Sequence, residues 1–324
     1  MRKFLIACSF SAVATFGLFS CGNHLFDQDL ESRMVGALQE ALVLGSKTAA
    51  VNLGDSSCSS SLAAAGNCTK GYLGNKLVEI LLPDTVSNVL KQINSFTGKL
   101  NALPFPVKTV LETAVGHQYN SLFNLDGYAT SLKNALNRGA EQAAPASVEV
   151  FENTIRAMSF ADARDVLMGD SIAATSYLKT TTYKGLQGAF RPVIKIPLDK
   201  LNPNQHWSPI ASAYNSFAED YAKALKSSAV ISAISSYNTL NPSSDKISLP
   251  GLPYNGYLST DLSESLTSWA TGKALDGLFR MVGKQETQLR ADPWGTVKSL
   301  GDFVTDNVGD LLSDIFGRAK DGLL

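Results

Sequence analysis

The chain has 324 residues, 44% of them hydrophobic and 18% charged, with a formal net charge of −1. That apolar fraction is enough for a real core in one large domain or two. A near-neutral chain with no basic block lacks the phosphate-neutralising surface that nucleic-acid binding requires.

Arg2 and Lys3 precede an apolar stretch from Phe4 to Phe19, and small Ser20 precedes Cys21. A positive start, a short apolar core and a small residue form an export signal. The stretch is shorter than the about 20 residues of a typical membrane span, and no later apolar run is longer. The string Leu18-Phe19-Ser20-Cys21-Gly22-Asn23 resembles a bacterial lipoprotein box, with a bulkier Phe19 than usual. An ordinary secretory signal with a chance cysteine is the alternative. The lipoprotein reading makes residues 1–20 a cleaved signal, Cys21 the lipidated N-terminus and residues 21–27 a tether. A helical domain over residues 28–324 follows. Each buried acyl methylene contributes about 0.8 kcal/mol, so several chains hold a protein stably at a membrane. Gly22 stands where an Asp would retain the protein at the inner membrane, which favours the outer membrane. Cleavage removes Arg2, Lys3 and no acid, taking the net charge from −1 to −3.

Cleavage also removes Cys8. Cys58 and Cys68 remain as an isolated pair in a compartment that permits disulfides, flanking a low-complexity loop. A disulfide there would contribute roughly 3 kcal/mol in the chain-entropy model. Zinc is the rival reading, but the spacing fits no common ligand pattern.

Along the chain the helical period dominates. Leu30, Met34, Ala37, Leu38, Ala41 and Leu42 recur at three and four residues. Leu73, Leu77, Ile80 and Leu81 continue the pattern up to Pro83, and Val86, Val89, Leu90 and Ile93 carry it over 84–96. Helices are predicted over 107–123, 128–144 and 146–158. Ser159 and Asp162 have the spacing of a capping box that opens a helix to about Met168. Further helices are expected over 173–189, 192–201, 208–233, 262–290 and 296–316. Residues 234–257 are rich in Ser, Asn, Pro and Gly and read as a loop. A short piece near Ile247 to Leu252 is the nearest approach to a strand pattern. The fold class is all-α, a bundle-like single domain with many helices. The string Leu38-x-x-Ala41-Leu42-x-x-Gly45-x-x-x-Ala49-Ala50 recurs at Leu132 to Ala144 with identical spacing. Its small residues on one helix face suggest that the two copies pack on each other.

Several strings together resemble one family of bacterial envelope proteins, DUF4197. They include Ala37 to Leu42, Leu132 to Arg138, Ile155 to Arg164, Ala173 to Leu178, Lys273 to Phe279 and Ile315-Phe316-Gly317. The resemblance implies an exported, mostly helical protein and brings no active site. Segments 54–70 and 226–256 read as insertions, and Lys179 stands where the family pattern suggests Arg.

The densest polar stretch holds Arg156, Ser159, Asp162, Arg164, Asp165, Asp170, Thr175 and Tyr177. Arg156, Asp162, Arg164, Asp165, Thr175 and Tyr177 are the candidate binding residues, with Arg156 or Arg164 available to an anion. The structural alternative makes Ser159 and Asp162 caps and pairs arginines with acids. His117 lies five residues after Glu112, on a different helix face, and three scattered histidines have no metal spacing. Asp302, Asp306, Asp310 and Asp314 form an acidic stripe that could meet a cation or basic partner, or stay solvated. No cofactor or metal is expected. The expected partners are the membrane through the lipid, a hydrophobic ligand held between helices, or an envelope protein. The leading reading is binding or scaffolding. Enzyme chemistry around 156–177 and a purely structural lipoprotein are the alternatives.

Overall fold

The apolar periodicity becomes buried helix faces, and the described residues fold as an all-α protein. The computed structural model describes residues 23–292, except 59, 118, 120, 121, 123, 124, 201–206, 242, 255, 256 and 260–262, together with Ser313 and Gly317. Cys21 and the acidic stripe over 302–314 lie outside the described residues. The elements are α1 (Asn23–Gly54), α2 (Ser60–Ala64), α3 (Asp84–Asn101), α4 (Val107–Val115), α5 (Leu125–Ala143) and α6 (Ser147–Arg156). They continue with α7 (Phe160–Met168), α8 (Ala173–Lys200), α9 (Ser208–Ala224), α10 (Ser228–Leu240) and α11 (Ser263–Ala291). Among the described residues there is no strand, and one isolated bridge joins Asn67 and Asn75.

Helix α8 is central and packs on α5, α6, α7 and α11, while α1 packs on α5, α6, α7 and α11. Leu38, Leu53, Leu136, Phe151, Leu186, Phe190, Leu275 and Leu278 fill the space between them. Each such side chain contributes about 1.5–3 kcal/mol on burial. Helix α4 packs on α9 and α10. Phe96 of α3 meets Phe217 and Tyr221 of α9 edge-on, with ring centres 5.7 and 5.4 Å apart. No described helix is long and apolar enough to cross a membrane.

Several expectations are corrected. The helical pattern over 73–81 is not a helix. Gly71 and Gly74 take positive φ near 70°, which L side chains rarely adopt, residues 76–78 form a turn, and residues 79–83 are not helical. Helix α4 stops at Val115 because Gly116 also takes a φ of 70°. The two helices expected over 173–201 are one, α8. Pro192 and Gly188, the carbonyl one turn back that loses its donor, are both exposed, so water can satisfy that carbonyl. The helix expected over 208–233 is two, because Ser227 caps α10 by accepting from the Val230 N–H. Helix α10 extends into the expected loop. The remainder of that loop is tied to α9: Tyr221 Oη donates to the Pro250 carbonyl and Asn215 pairs with both main-chain groups of Leu258. The piece near 247–252 forms no strand.

The repeat is also corrected in its detail. Helices α1 and α5 do touch. However, Gly45 faces Gln285 of α11, and Gly139 lies against the Ile194 backbone of α8, where a Cβ would sit 3.3 Å from the carbonyl oxygen. The small residues admit two different neighbours.

Candidate functional site

The candidate residues of 156–177 divide between surface and core. Arg156 ends α6. Its guanidinium reaches Glu40 of α1 at 2.8 Å and Glu152 at 2.9 Å, and hydrogen bonds to these two acids raise its pKa. Asp162 forms the expected capping box. Its carboxylate accepts from the Ser159 N–H, and its own N–H donates to Ser159 Oγ at 3.1 Å. Arg164 and Asp165 are exposed on α7. Asp170 shapes the turn into α8 by accepting from the Ile172 N–H at 2.9 Å. Tyr177 is half-buried, and burial followed by the charge of Asp162 raises its phenol pKa. Thr175 is buried. The cavity nearest this segment is lined by Ala41, Gly45, Ala174, Leu178 and Glu286 and encloses about 10 Å³, room for roughly one water. None of the six candidates lines it.

The partner of Thr175 is Glu286, which periodicity alone did not single out. Glu286 is buried on α11 and accepts from the N–H groups of Ala174 (2.9 Å) and Thr175 (2.8 Å) and from Thr175 Oγ1 (2.8 Å). It thereby satisfies orphan donors at the start of α8 and places negative charge at a helix N-terminus. Arg290, one turn on, pairs with Glu286 at 2.8 Å and donates to the Val166 carbonyl at the end of α7. A visible signal existed: Leu275, Leu278, Val282, Glu286 and Leu289 share one apolar register, so an acid there is destined for burial.

A second buried carboxylate organises the segment that is not helical. Glu141 of α5 accepts from the N–H groups of Tyr72 and Leu73, both at 3.0 Å, and pairs with Arg138 at 2.6 Å. Gly71 is needed there, since a Cβ would lie 2.7 Å from the Glu141 carboxylate. One turn earlier, Asn137 holds both main-chain groups of Ile80. Tyr72 Oη donates to the Ala274 carbonyl of α11 at 2.6 Å, and burial, then the charge of Glu141, drives its phenol pKa far up. Arg280 donates to the Leu77 carbonyl at 2.7 Å. Residues 71–83 therefore form a strap across α5 and α11. Between strap and α11 lies a surface cleft of about 370 Å³ bordered by Leu77, Leu81, Trp269, Lys273, Asp276 and Arg280.

Cys58 and Cys68 form the expected disulfide, with Cα atoms 6.0 Å apart, around the short helix α2. His117 is exposed just past α4, and Glu112 pairs with Lys108. Among the described residues no group of three or more acids, histidines or cysteines could hold a metal ion.

A family model described as "Protein of unknown function (DUF4197)" matches residues 113–304. No curated protein and no solved structure matches the chain.

Proposed function

Since the chain belongs to the DUF4197 family, whose description carries no activity, we propose a function from its own residues: a lipid-anchored envelope protein that binds or scaffolds without catalysis. The observation that carries this reading is the use made of the polar groups around 156–177. Arg156, Asp162, Asp170 and Thr175 serve ion pairs, caps and a helix start, and none of them lines the small cavity beside them. General acid–base chemistry needs such groups within reach of one reacting atom. A roomier space than that cavity is the cleft beside the strap, whose mixed apolar and charged border suits a ligand held from outside. The anchor at Cys21 rests on the export-signal pattern, and Gly22, standing where an Asp would retain the protein at the inner membrane, favours the outer membrane.

Mass spectrometry of the protein extracted from its native membrane tests both halves. The expected result is a chain starting at Cys21 with a diacyl or triacyl mass, accompanied by a bound partner or ligand. An unmodified chain cleaved elsewhere overturns the anchor. An acylated chain that never carries a bound species overturns the binding role.

A further inference from the structure

The strap leaves the main chain of one residue, Leu81, unpaired among the described residues. Ile80 is buried and the next residue, Leu81, is 62% exposed, the alternation of an extended chain, while Leu77, 47% exposed, lies in the turn just before. Asn137 Oδ1 accepts from the Ile80 N–H and its Nδ2 donates to the Ile80 carbonyl, both at 2.8 Å. In an extended chain, neighbouring residues direct these groups to opposite sides. The N–H and C=O of Leu81 therefore point away from Asn137, and among the described residues they have no partner.

The opposite wall of the cleft is charged. Trp269, Lys273, Asp276 and Arg280 follow one another at four, three and four residues, a single stripe along α11. Two of the three acids bordering the cleft have a basic partner. Glu79 pairs with Lys133 at 3.0 Å and Asp276 faces Lys179 at 3.8 Å. Asp84 sits in the first turn of α3, where the helix N-terminus favours an anion. Arg280 gives one N–H to the Leu77 carbonyl and has others to spare. Lys273 is exposed and has no acid within ion-pair distance among the described residues. The charge left to a ligand is positive.

We infer that this cleft takes an extended, acidic peptide segment of another envelope protein. The segment pairs with the free edge at Leu81, lays apolar side chains against Leu77, Leu81 and Trp269, and brings a carboxylate to Lys273 and Arg280. Main-chain pairing supplies affinity, and the charged stripe supplies selectivity. This assignment rests on the binding reading and specifies the partner's chemistry.

The test titrates fluorescein-labelled acetyl-Val-Glu-Val-Glu-Val-Glu-amide into the full acylated chain in detergent and follows anisotropy. Two controls replace every Glu by Gln or methylate every peptide nitrogen. Saturable binding is expected, with each control weaker by about tenfold or more. Lys273→Glu should weaken binding about tenfold and Arg280→Gln several-fold, with thermal unfolding of Lys273→Glu unchanged. Absence of saturable binding overturns the inference, as does equal binding of either control or an undiminished Lys273→Glu. If the peptides fail while the protein extracted from membranes still carries a partner, the cleft assignment falls and the binding reading stands. If both fail, both fall.

Discussion

The two buried carboxylates use the same device in different surroundings. Glu286 and Glu141 are 3% and 1% exposed at the side chain, each accepts two main-chain N–H groups, and each pairs with an arginine about one turn away. Glu286 joins helix to helix, with α8 beginning on its oxygens and α7 ending on Arg290. Glu141 joins a helix to irregular chain, and its Arg138 donates to the carbonyls of Ser56 and Cys58. Arg290 is 14% exposed and Arg138 is 32%. The helix-to-helix clamp is thus the drier one, and a charge in a drier site costs more to leave unpaired.

Substitution of the two acids separates these cases. Glu286→Ala strands the N–H groups of Ala174 and Thr175, a buried hydroxyl and Arg290, and should cost about 3–5 kcal/mol in denaturant unfolding. Glu286→Gln keeps one acceptor and should cost less. Glu141→Ala should cost about 2–3 kcal/mol, because water can reach Arg138 and the strap can loosen locally. Hydrogen exchange would then rise at Tyr72, Leu73 and Ile80 before it rises at Leu178. Equal losses, or global exchange in both variants, would dissolve the distinction.

Removing the disulfide, as Cys58→Ser with Cys68→Ser, should cost about 2–3 kcal/mol by freeing the loop in the unfolded chain. The same pair sharpens the comparison. Arg138 reaches the Cys58 carbonyl, so the double serine variant should couple with Glu141→Ala and add independently to Glu286→Ala in a mutant cycle. Gly277→Ala probes the other side of the strap. Its Cβ would stand 2.7 Å from the buried ring of Tyr72 and 3.2 Å from Val78, for a cost of about 1–3 kcal/mol.

The sequence pattern reveals these features unequally. The helix faces, the capping box at Ser159 and Asp162 and the pairing of Cys58 with Cys68 depend on neighbours a few residues apart, and local rules find them. Glu286 lies between, since its place in the apolar register announces burial but its partners are 111 and 112 residues away. The strap was concealed by coincidence. Leu73, Leu77, Ile80 and Leu81 imitate helical spacing, while their conformation is set by Gly71, Gly74 and contacts with Glu141 and Asn137 from 57 to 69 residues away. Lys273 and Arg280 look like ordinary solvated charges until the strap is laid beside them.

Arg156 provides the smallest expected effect and the control for the whole comparison. It carries the same charge as Arg290 and also links helices, reaching from α6 to Glu40 of α1. Yet Arg156, Glu40 and Glu152 are 49%, 54% and 41% exposed, so water competes for every bond. Arg156→Ala should therefore cost less than about 1 kcal/mol, and about 0.5 M salt should shrink even that difference. A loss comparable to that of Glu286→Ala would mean that pairing chemistry, and not dryness, sets the strength of these ties. It would also return Arg156 to the list of residues doing more than holding α6 against α1.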